Sequence, residues 1–149
     1  MKKLPMGPEE LKSLSAALRK LSFFADLSMR ELERMLAVTS LYAIEGGRKT
    51  IFKKGNVGDA LYIIRKGAVE IIKPRFPLPR RPIARLGPGD AFGEMALLNH
   101  PYRTASAITD GYTELFVLLS PDFNDIFASN PAFLKSLQEL AARRKSVST

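Results

Sequence analysis

Residues 87–107 read GPGDAFGEMALLNHPYRTASA, and this stretch carries the most information about fold and chemistry in the chain. A glycine turn leads into Gly93-Glu94, and the apolar residues that follow are enough for one helical turn. Pro101 ends that turn because proline cannot continue a helix, and Arg103 begins a predicted strand. The stretch therefore predicts a turn, a short helix and a strand in close succession.

The residue types in this stretch suit a phosphorylated sugar. A helix start presents free N–H groups that favour a phosphate, and Gly93 lets a ligand approach the backbone closely. The guanidinium of Arg103 is a planar fork of donors that matches phosphate oxygens, whereas the carboxylate of Glu94 accepts hydrogen bonds from sugar hydroxyls. Each feature alone also fits an ordinary turn or a surface charge. Their combination predicts a pocket for a phosphorylated sugar.

The surrounding segment, residues 41–119, is predicted to be β-structure. Short apolar runs alternate there with glycines, and their spacing favours a sandwich, roll or barrel. The strand candidates are Thr50–Phe52, Leu61–Ile64, Val69–Ile72, Ile83–Leu86, Thr104–Thr109 and Glu114–Leu119. Four prolines between Lys73 and Pro82 predict an exposed loop, because proline cannot donate to a central sheet ladder.

Helices are predicted on both sides of the β segment, at residues 1–40 and 120–145. Pro8 followed by two acids is a typical helix start, and Ser28 with Glu31 forms the pattern of a capping box. Ser120 is the predicted N-cap of a third helix, and Asn130-Pro131 starts a last helix that runs through Arg143. The 149 residues are the usual size of one domain, so we expect residues 1–149 to form one.

Composition excludes several classes of protein. The chain has no cysteine and one histidine, His100, so thiolate catalysis is excluded and we expect no metal site. We expect no membrane span and no secretory signal, and hence a cytoplasmic location. The net charge of +8 favours an anionic partner, although a solubilising surface explains it equally well.

Two segments of the chain resemble the cyclic nucleotide-binding domain family. Residues 92–104 resemble the phosphate-binding cassette of protein kinase A regulatory subunits, cyclic-nucleotide-gated channels and the catabolite activator protein, and Arg103 follows Glu94 at the common family spacing. Residues 55–67, GNVGDALYIIRKG, resemble the other family signature. The resemblance implies an eight-stranded β-roll, a jelly-roll-like double-stranded β-helix, with N-terminal helices and C-terminal lid helices.

The resemblance also implies roles for individual residues. The ligand would be cAMP or cGMP, with cAMP slightly favoured, and no other cofactor is expected. Arg103 would neutralise the cyclic phosphate, Glu94 would accept the ribose 2′-hydroxyl, and Asp59 would hold the guanidinium. The other residues expected to line the ligand or to cover its base as a lid are Gly93, Ala96, Leu97 and Thr104, and Leu134, Leu137 and Leu140.

One departure and several alternatives remain open from the sequence. Many family members place proline directly before the arginine, whereas here Tyr102 follows Pro101. The leading hypothesis is a regulatory binding module, a monomer or weak homodimer, that acts on an unknown effector and is not an enzyme. The alternatives are a fragment of a channel or of a catabolite-activator-type regulator, and a degenerate domain for protein contacts. Because a helix-turn-helix needs more chain, we expect no sequence-specific DNA binding.

Overall fold

Alternating apolar residues place the central strands between two hydrophobic layers. The structure, a computed structural model, describes residues 1–73, 82–98 and 102–143. Most of the predicted proline-rich loop, together with His100, Pro101 and the tail from residue 144, lies outside the described residues.

The described residues form nine strands in two antiparallel sheets. One sheet has the order β1-β2-β9-β4-β7 and the other the order β3-β8-β5-β6. The strands are β1 Lys2–Leu4, β2 Ser40–Ile44, β3 Thr50–Phe52, β4 Ala60–Lys66, β5 Val69–Ile72, β6 Pro82–Leu86, β7 Ala91–Phe92, β8 Ser106–Thr109 and β9 Thr113–Leu119. Eight of them lie in residues 40–119, where residues 41–119 were predicted to be β-structure, and β1, β2 and β7 correspond to none of the predicted strand candidates.

In the part of the chain that the structure describes, four helices flank the sheets, as predicted. They are α1 Pro8–Lys20, α2 Met29–Val38, α3 Ser120–Phe127 and α4 Pro131–Arg143, and short 3-10 turns occupy Ser22–Phe24 and Glu94–Leu98. The capping box of α2 is present, since the Glu31 N–H donates to Ser28 Oγ over 3.1 Å and the Ser28 N–H donates to Glu31 Oε1 over 3.0 Å. The prediction of a mainly β fold with flanking helices is confirmed.

Strand β9 shows how the two layers form. Successive side chains of a strand point to opposite faces, so Leu115 and Val117 enter the cluster between the sheets. Phe116 and Leu118 enter the second cluster, which the helices cover. We call this second one the helical cluster. It includes Leu14 and Leu18 of α1, Leu32 and Met35 of α2, Phe123 and Phe127 of α3, and Phe133 and Leu137 of α4.

Strands β4, β6 and β9 extend one or two residues beyond their predicted ranges, and two predicted starts near the cassette were wrong. Helix α3 begins at Ser120 with Leu119 as its N-cap, and the Ser120 hydroxyl donates to the Ala96 carbonyl over 2.9 Å instead of capping the helix. Strand β8 begins at Ser106 rather than Thr104. The backbone of residues 102 and 103 forms hydrogen bonds and a β-bridge with the turn at 55–57, before strand β8 begins.

None of the helices in the described ranges is both long and apolar enough to cross a bilayer.

Candidate functional site

The backbone of Arg103 is fixed to a turn that precedes strand β4. The Arg103 N–H donates to the Asn56 carbonyl over 2.7 Å, and the Gly55 N–H donates to the Arg103 carbonyl over 2.8 Å. An isolated β-bridge joins the neighbouring residues Val57 and Tyr102. These contacts bring the two segments that the sequence analysis singled out, residues 55–67 and 92–104, into direct contact.

The side chain of Arg103 points into the protein, and the residue is only 6% exposed. Its Nη1 donates to the Gly93 carbonyl and its Nη2 donates to the Ala60 carbonyl, each over 3.0 Å. Its Nε is buried and has no hydrogen-bond partner among the described residues. The guanidinium therefore links the start of β4 to the residue just before the 3-10 turn.

Two aromatic rings flank this guanidinium. Its Cζ lies 4.1 Å from the ring centroid of Phe52 on β3 and 5.7 Å from that of Tyr62 on β4. A cation held against an aromatic face is stabilised by the ring quadrupole. The sequence analysis placed both residues in strands but assigned neither to the site, because only the packing of the two sheets shows that they meet Arg103.

The guanidinium of Arg103 is a buried cation. Burial lowers its pKa, and the acidic groups of Tyr62, Asp59 and Glu94 partly oppose that effect. Arginine nevertheless remains charged at physiological pH. Within the described ranges no ion pair involves Arg103, and its partners there are two carbonyls, the rings of Phe52 and Tyr62, and the Tyr62 hydroxyl, which hydrogen-bonds with the guanidinium. Buried charges are normally paired, and an anionic ligand would complete this one.

Two glycines make room for the guanidinium. Gly93 has a φ of +78°, and a Cβ built on it would lie 2.7 Å from Arg103 Nη1. A Cβ built on Gly58 would lie 2.9 Å from Arg103 Nε. Gly93 was predicted to allow close approach of a ligand, whereas the structure shows it in close contact with the arginine. Gly58 lies in the family signature, but the sequence analysis assigned it no contact.

The other cassette residues surround Gly93. Glu94 is half-buried at the start of the 3-10 turn, and the hydroxyl oxygen of half-buried Thr104 has no partner among the described residues. Ala96 is buried, and its N–H donates to the Gly93 carbonyl over 3.2 Å. Leu97 is buried in the helical cluster. The structure thus places these predicted residues in one continuous segment, and their ligand contacts stay predictions.

Asp59 lies beside the site but contacts it through its backbone. Its carbonyl accepts the Ser120 N–H over 2.8 Å, and within the described ranges it forms no ion pair with Arg103. Its charge acts on Arg103 from a longer distance, since it raises the pKa of that side chain. The predicted role of Asp59 as a holder of the guanidinium stays a prediction.

The predicted lid residues lie on helix α4. Leu137 is buried in the helical cluster, which it shares with Leu97 of the cassette, and Leu134 is half-buried against the same cluster. The side chain of Leu140 lies outside the described part of the chain. Phe133, which the sequence analysis did not assign to the lid, stacks on Phe127 with ring centroids 4.3 Å apart. Helix α4 and the cassette therefore share one apolar cluster.

Within residues 1–73, 82–98 and 102–143, no three His, Cys, Asp or Glu side chains are grouped so that they could hold a metal ion.

The amino-acid sequence is similar to a described protein family and to several known proteins. A family profile described as cyclic nucleotide-binding domain matches residues 46–130, a range that includes the Arg103 site. The cyclic AMP receptor protein of Thermus thermophilus is 38% identical over 96 residues, which cover 64% of this chain and 44% of the receptor. The cGMP-dependent protein kinase egl-4 of Caenorhabditis elegans is 35% identical over 104 residues, which cover 69% of this chain and 13% of the kinase.

A solved structure shows the same fold. The regulatory domain of Toxoplasma gondii PKA, determined as a co-crystal with cAMP, has a TM-score of 0.75 and 28% sequence identity to this chain. The similarity covers 80% of this chain and 45% of that one. The chain therefore spans less than half the length of each of these three proteins.

Proposed function

The chain belongs to the cyclic nucleotide-binding domain family, and we propose that it binds a 3′,5′-cyclic nucleotide at Arg103. We also propose that ligand binding changes the position of helix α4, and that an effector responds to this change. In this proposal the module is regulatory and catalyses no reaction. The effector is a protein or another domain of unknown identity.

The observation that carries the proposal is the buried guanidinium of Arg103. Among the described residues its Nε has no hydrogen-bond partner, no ion pair involves it, and its two terminal nitrogens donate to the carbonyls of Gly93 and Ala60. A phosphate diester supplies the missing negative charge and the acceptor oxygens that fit a planar fork. We therefore assign the phosphate of the nucleotide to Arg103.

Neighbouring groups suit the rest of the ligand. Glu94 follows Gly93, whose carbonyl holds the arginine, and we propose that the Glu94 carboxylate accepts the ribose 2′-hydroxyl. The vacant hydroxyl of Thr104 is a further donor for a phosphate or purine. The N–H groups of Gly93, Ala96 and Leu97 are proposed contacts, although the Ala96 N–H must first leave the Gly93 carbonyl.

The choice between cAMP and cGMP rests on relatives. The Thermus thermophilus relative is named as a cyclic AMP receptor, and the Toxoplasma gondii structure was determined with cAMP. The Caenorhabditis elegans relative is named as a cGMP-dependent kinase. We propose cAMP as the preferred ligand, with weaker binding of cGMP, whose exocyclic amine Thr104 would be able to contact.

Calorimetry on the purified chain tests this proposal. We expect cAMP and cGMP to bind, and 5′-AMP to bind far more weakly, because the site suits a phosphate diester fused to the ribose. Replacing Arg103 with alanine should reduce the affinity for cAMP by about 2–4 kcal/mol, roughly 30- to 1000-fold, because the phosphate loses its charged partner.

The matched control is Arg85→Ala. Arg85 is an exposed arginine on β6 that pairs with Asp110 over 2.7 Å, away from the site, so its removal should leave cAMP affinity unchanged. Equal affinity for cAMP and 5′-AMP, or an unchanged dissociation constant in Arg103→Ala, would show that the phosphate does not bind here.

Three further expectations stay predictions. We propose no sequence-specific DNA binding by these 149 residues, although a net charge of +8 favours weak, salt-sensitive association with DNA. A cytoplasmic location and a monomeric or weakly dimeric state are likewise predictions from the sequence.

A further inference from the structure

Among the glycines of the described residues, Gly58 and Gly93 are the two at which an added Cβ would meet the side chain of Arg103, and Gly58 is the one outside the cassette. A Cβ built on Gly58 would lie 2.9 Å from Arg103 Nε, 3.0 Å from Cζ and 3.1 Å from Cδ. The first of these distances is shorter than real Cβ atoms show, and the other two are tighter than most real contacts. An alanine at this position would therefore press on three consecutive heavy atoms of the Arg103 side chain.

The backbone of Gly58 does not itself require glycine. The glycines with a positive φ are Gly47, Gly55, Gly67, Gly89, Gly93 and Gly111, and Gly58 is not among them. An alanine could adopt the Gly58 conformation, so what the position requires is the absence of a side chain. This separates Gly58 from Gly93, where the backbone conformation and the lack of space both favour glycine.

The guanidinium has little freedom to avoid an added methyl group. The Phe52 ring lies against it at 4.1 Å, and the carbonyls of Gly93 and Ala60 hold its two terminal nitrogens. A methyl at residue 58 would displace the flexible end of the arginine, because that end yields more readily than the packed sheets. The added methyl group would therefore change the orientation of the Arg103 guanidinium much more than it would lower the stability of the fold.

We infer that Gly58 is a positioning residue, whose missing side chain lets the guanidinium of Arg103 settle on Phe52 with its fork oriented for a phosphate diester. This inference rests on the proposed function, since it concerns the orientation of the same arginine. Gly58 has no contact with the nucleotide in this scheme and acts only through Arg103.

The test compares two glycine-to-alanine variants. Gly58→Ala should weaken cAMP binding roughly tenfold, because loss of orientation by a fraction of an ångström reduces the strength of a bidentate contact. The matched control is Gly46→Ala, a glycine without a positive φ and with no heavy atom within 4 Å of its built Cβ. This control should bind cAMP as the wild type does, and both variants should unfold near the wild-type temperature.

A second arginine variant separates positioning from a general structural effect. Lysine has Cδ and Cε at the positions of the arginine Cδ and Nε, but it binds a phosphate as a point charge and has no planar fork whose orientation could be lost, so in an Arg103→Lys background Gly58→Ala should change the residual cAMP affinity less than about twofold. A tenfold loss in both backgrounds would overturn the inference, because the effect would then not pass through the guanidinium. So would Gly58→Ala binding cAMP as tightly as the wild type. Failure of the wild type to bind any cyclic nucleotide would instead overturn the proposed function.

Discussion

At the scale of single residues, Glu94 has the most distinctive expected contact after Arg103. Burial lowers the pKa of Arg103, and the charge of Glu94 is the smallest of the effects that oppose this lowering, so the two side chains interact electrostatically. A carboxylate beside a phosphate is unfavourable unless it has another use. A hydrogen bond accepted from the ribose 2′-hydroxyl would offset this repulsion. The affinity should then depend on Glu94 only for ligands that carry the 2′-hydroxyl.

We predict that Glu94→Gln weakens cAMP binding but has little effect on 2′-deoxy-cAMP. The deoxy ligand lacks the hydroxyl that Glu94 accepts, so the variant has no hydrogen bond to lose with it. Calorimetry of both proteins with both ligands forms a thermodynamic cycle. If removing the carboxylate and removing the hydroxyl cost binding energy independently, Glu94 is not the acceptor.

The types and spacing of Arg103, Glu94 and Gly93 within one stretch predicted a site from the sequence, and their contacts with a ligand stay predictions. The sequence was insufficient for Phe52 and Tyr62. Their inward position follows from strand alternation, but their contact with Arg103 depends on how two sheets pack, which no local pattern records. The sequence was insufficient for Gly58 as well, because the closeness of Gly58 to the Arg103 side chain depends on how two separate segments pack.

At the scale of elements, Ser120 connects the site to the C-terminal helices. Its N–H donates to the Asp59 carbonyl over 2.8 Å, and its hydroxyl donates to the Ala96 carbonyl over 2.9 Å. Helix α3 therefore starts from a residue bound both to the loop before β4 and to the cassette. The sequence pattern of a serine before a proline predicts a cap, and the tertiary partner at Ala96 overrides that preference.

The apolar side of helix α4 provides a second connection. Leu137 and Phe133 share the helical cluster with Leu97, so a shift of the cassette on ligand binding changes the packing surface of α4. A ligand moves such an element only when it binds one arrangement better than the other. We propose that cyclic nucleotide favours the arrangement in which α4 covers the base.

We predict that hydrogen exchange slows in residues 133–143 and 93–98 when cAMP saturates the chain. The slowing in α4 should be lost in Leu134→Ala, which removes a half-buried leucine from the proposed lid. Leu36→Ala is the matched control, because Leu36 is also half-buried against the helical cluster but lies on α2. Unchanged exchange in α4 of the saturated wild type would contradict the lid.

At the scale of the whole molecule, the predicted fold class follows from patterns that repeat along the chain. Val69–Ile72 matched its predicted strand, and α4 begins at Pro131 with the Asn130 side chain accepting the Phe133 N–H over 3.2 Å. Strand β1 was missed because three residues with two lysines give no alternation, and their pairing with β2 depends on a neighbour about 40 positions away.

The folded molecule also contains a charge pair that limits its stability in acid. Burial alone would raise the pKa of Glu114, but hydrogen bonds from Tyr112 and Arg65 outweigh it and leave the pKa below its usual value. The Arg65–Glu114 ion pair, 2.7 Å long, therefore contributes stability above the unfolded-state pKa of the carboxyl, and this contribution is lost as the pH falls through the lower folded-state pKa. Ligand measurements near neutral pH lie within the range in which the pair is intact.

A crystal structure of the chain with cAMP tests the central claim most directly, because it locates the phosphate. We expect a phosphate oxygen within about 3 Å of a side-chain nitrogen of Arg103, with the ribose 2′-hydroxyl at Glu94. The Arg103 guanidinium should remain on Phe52 while it binds the phosphate. A nucleotide whose phosphate lies elsewhere, with Arg103 bonded only to the Gly93 and Ala60 carbonyls, would contradict the claim.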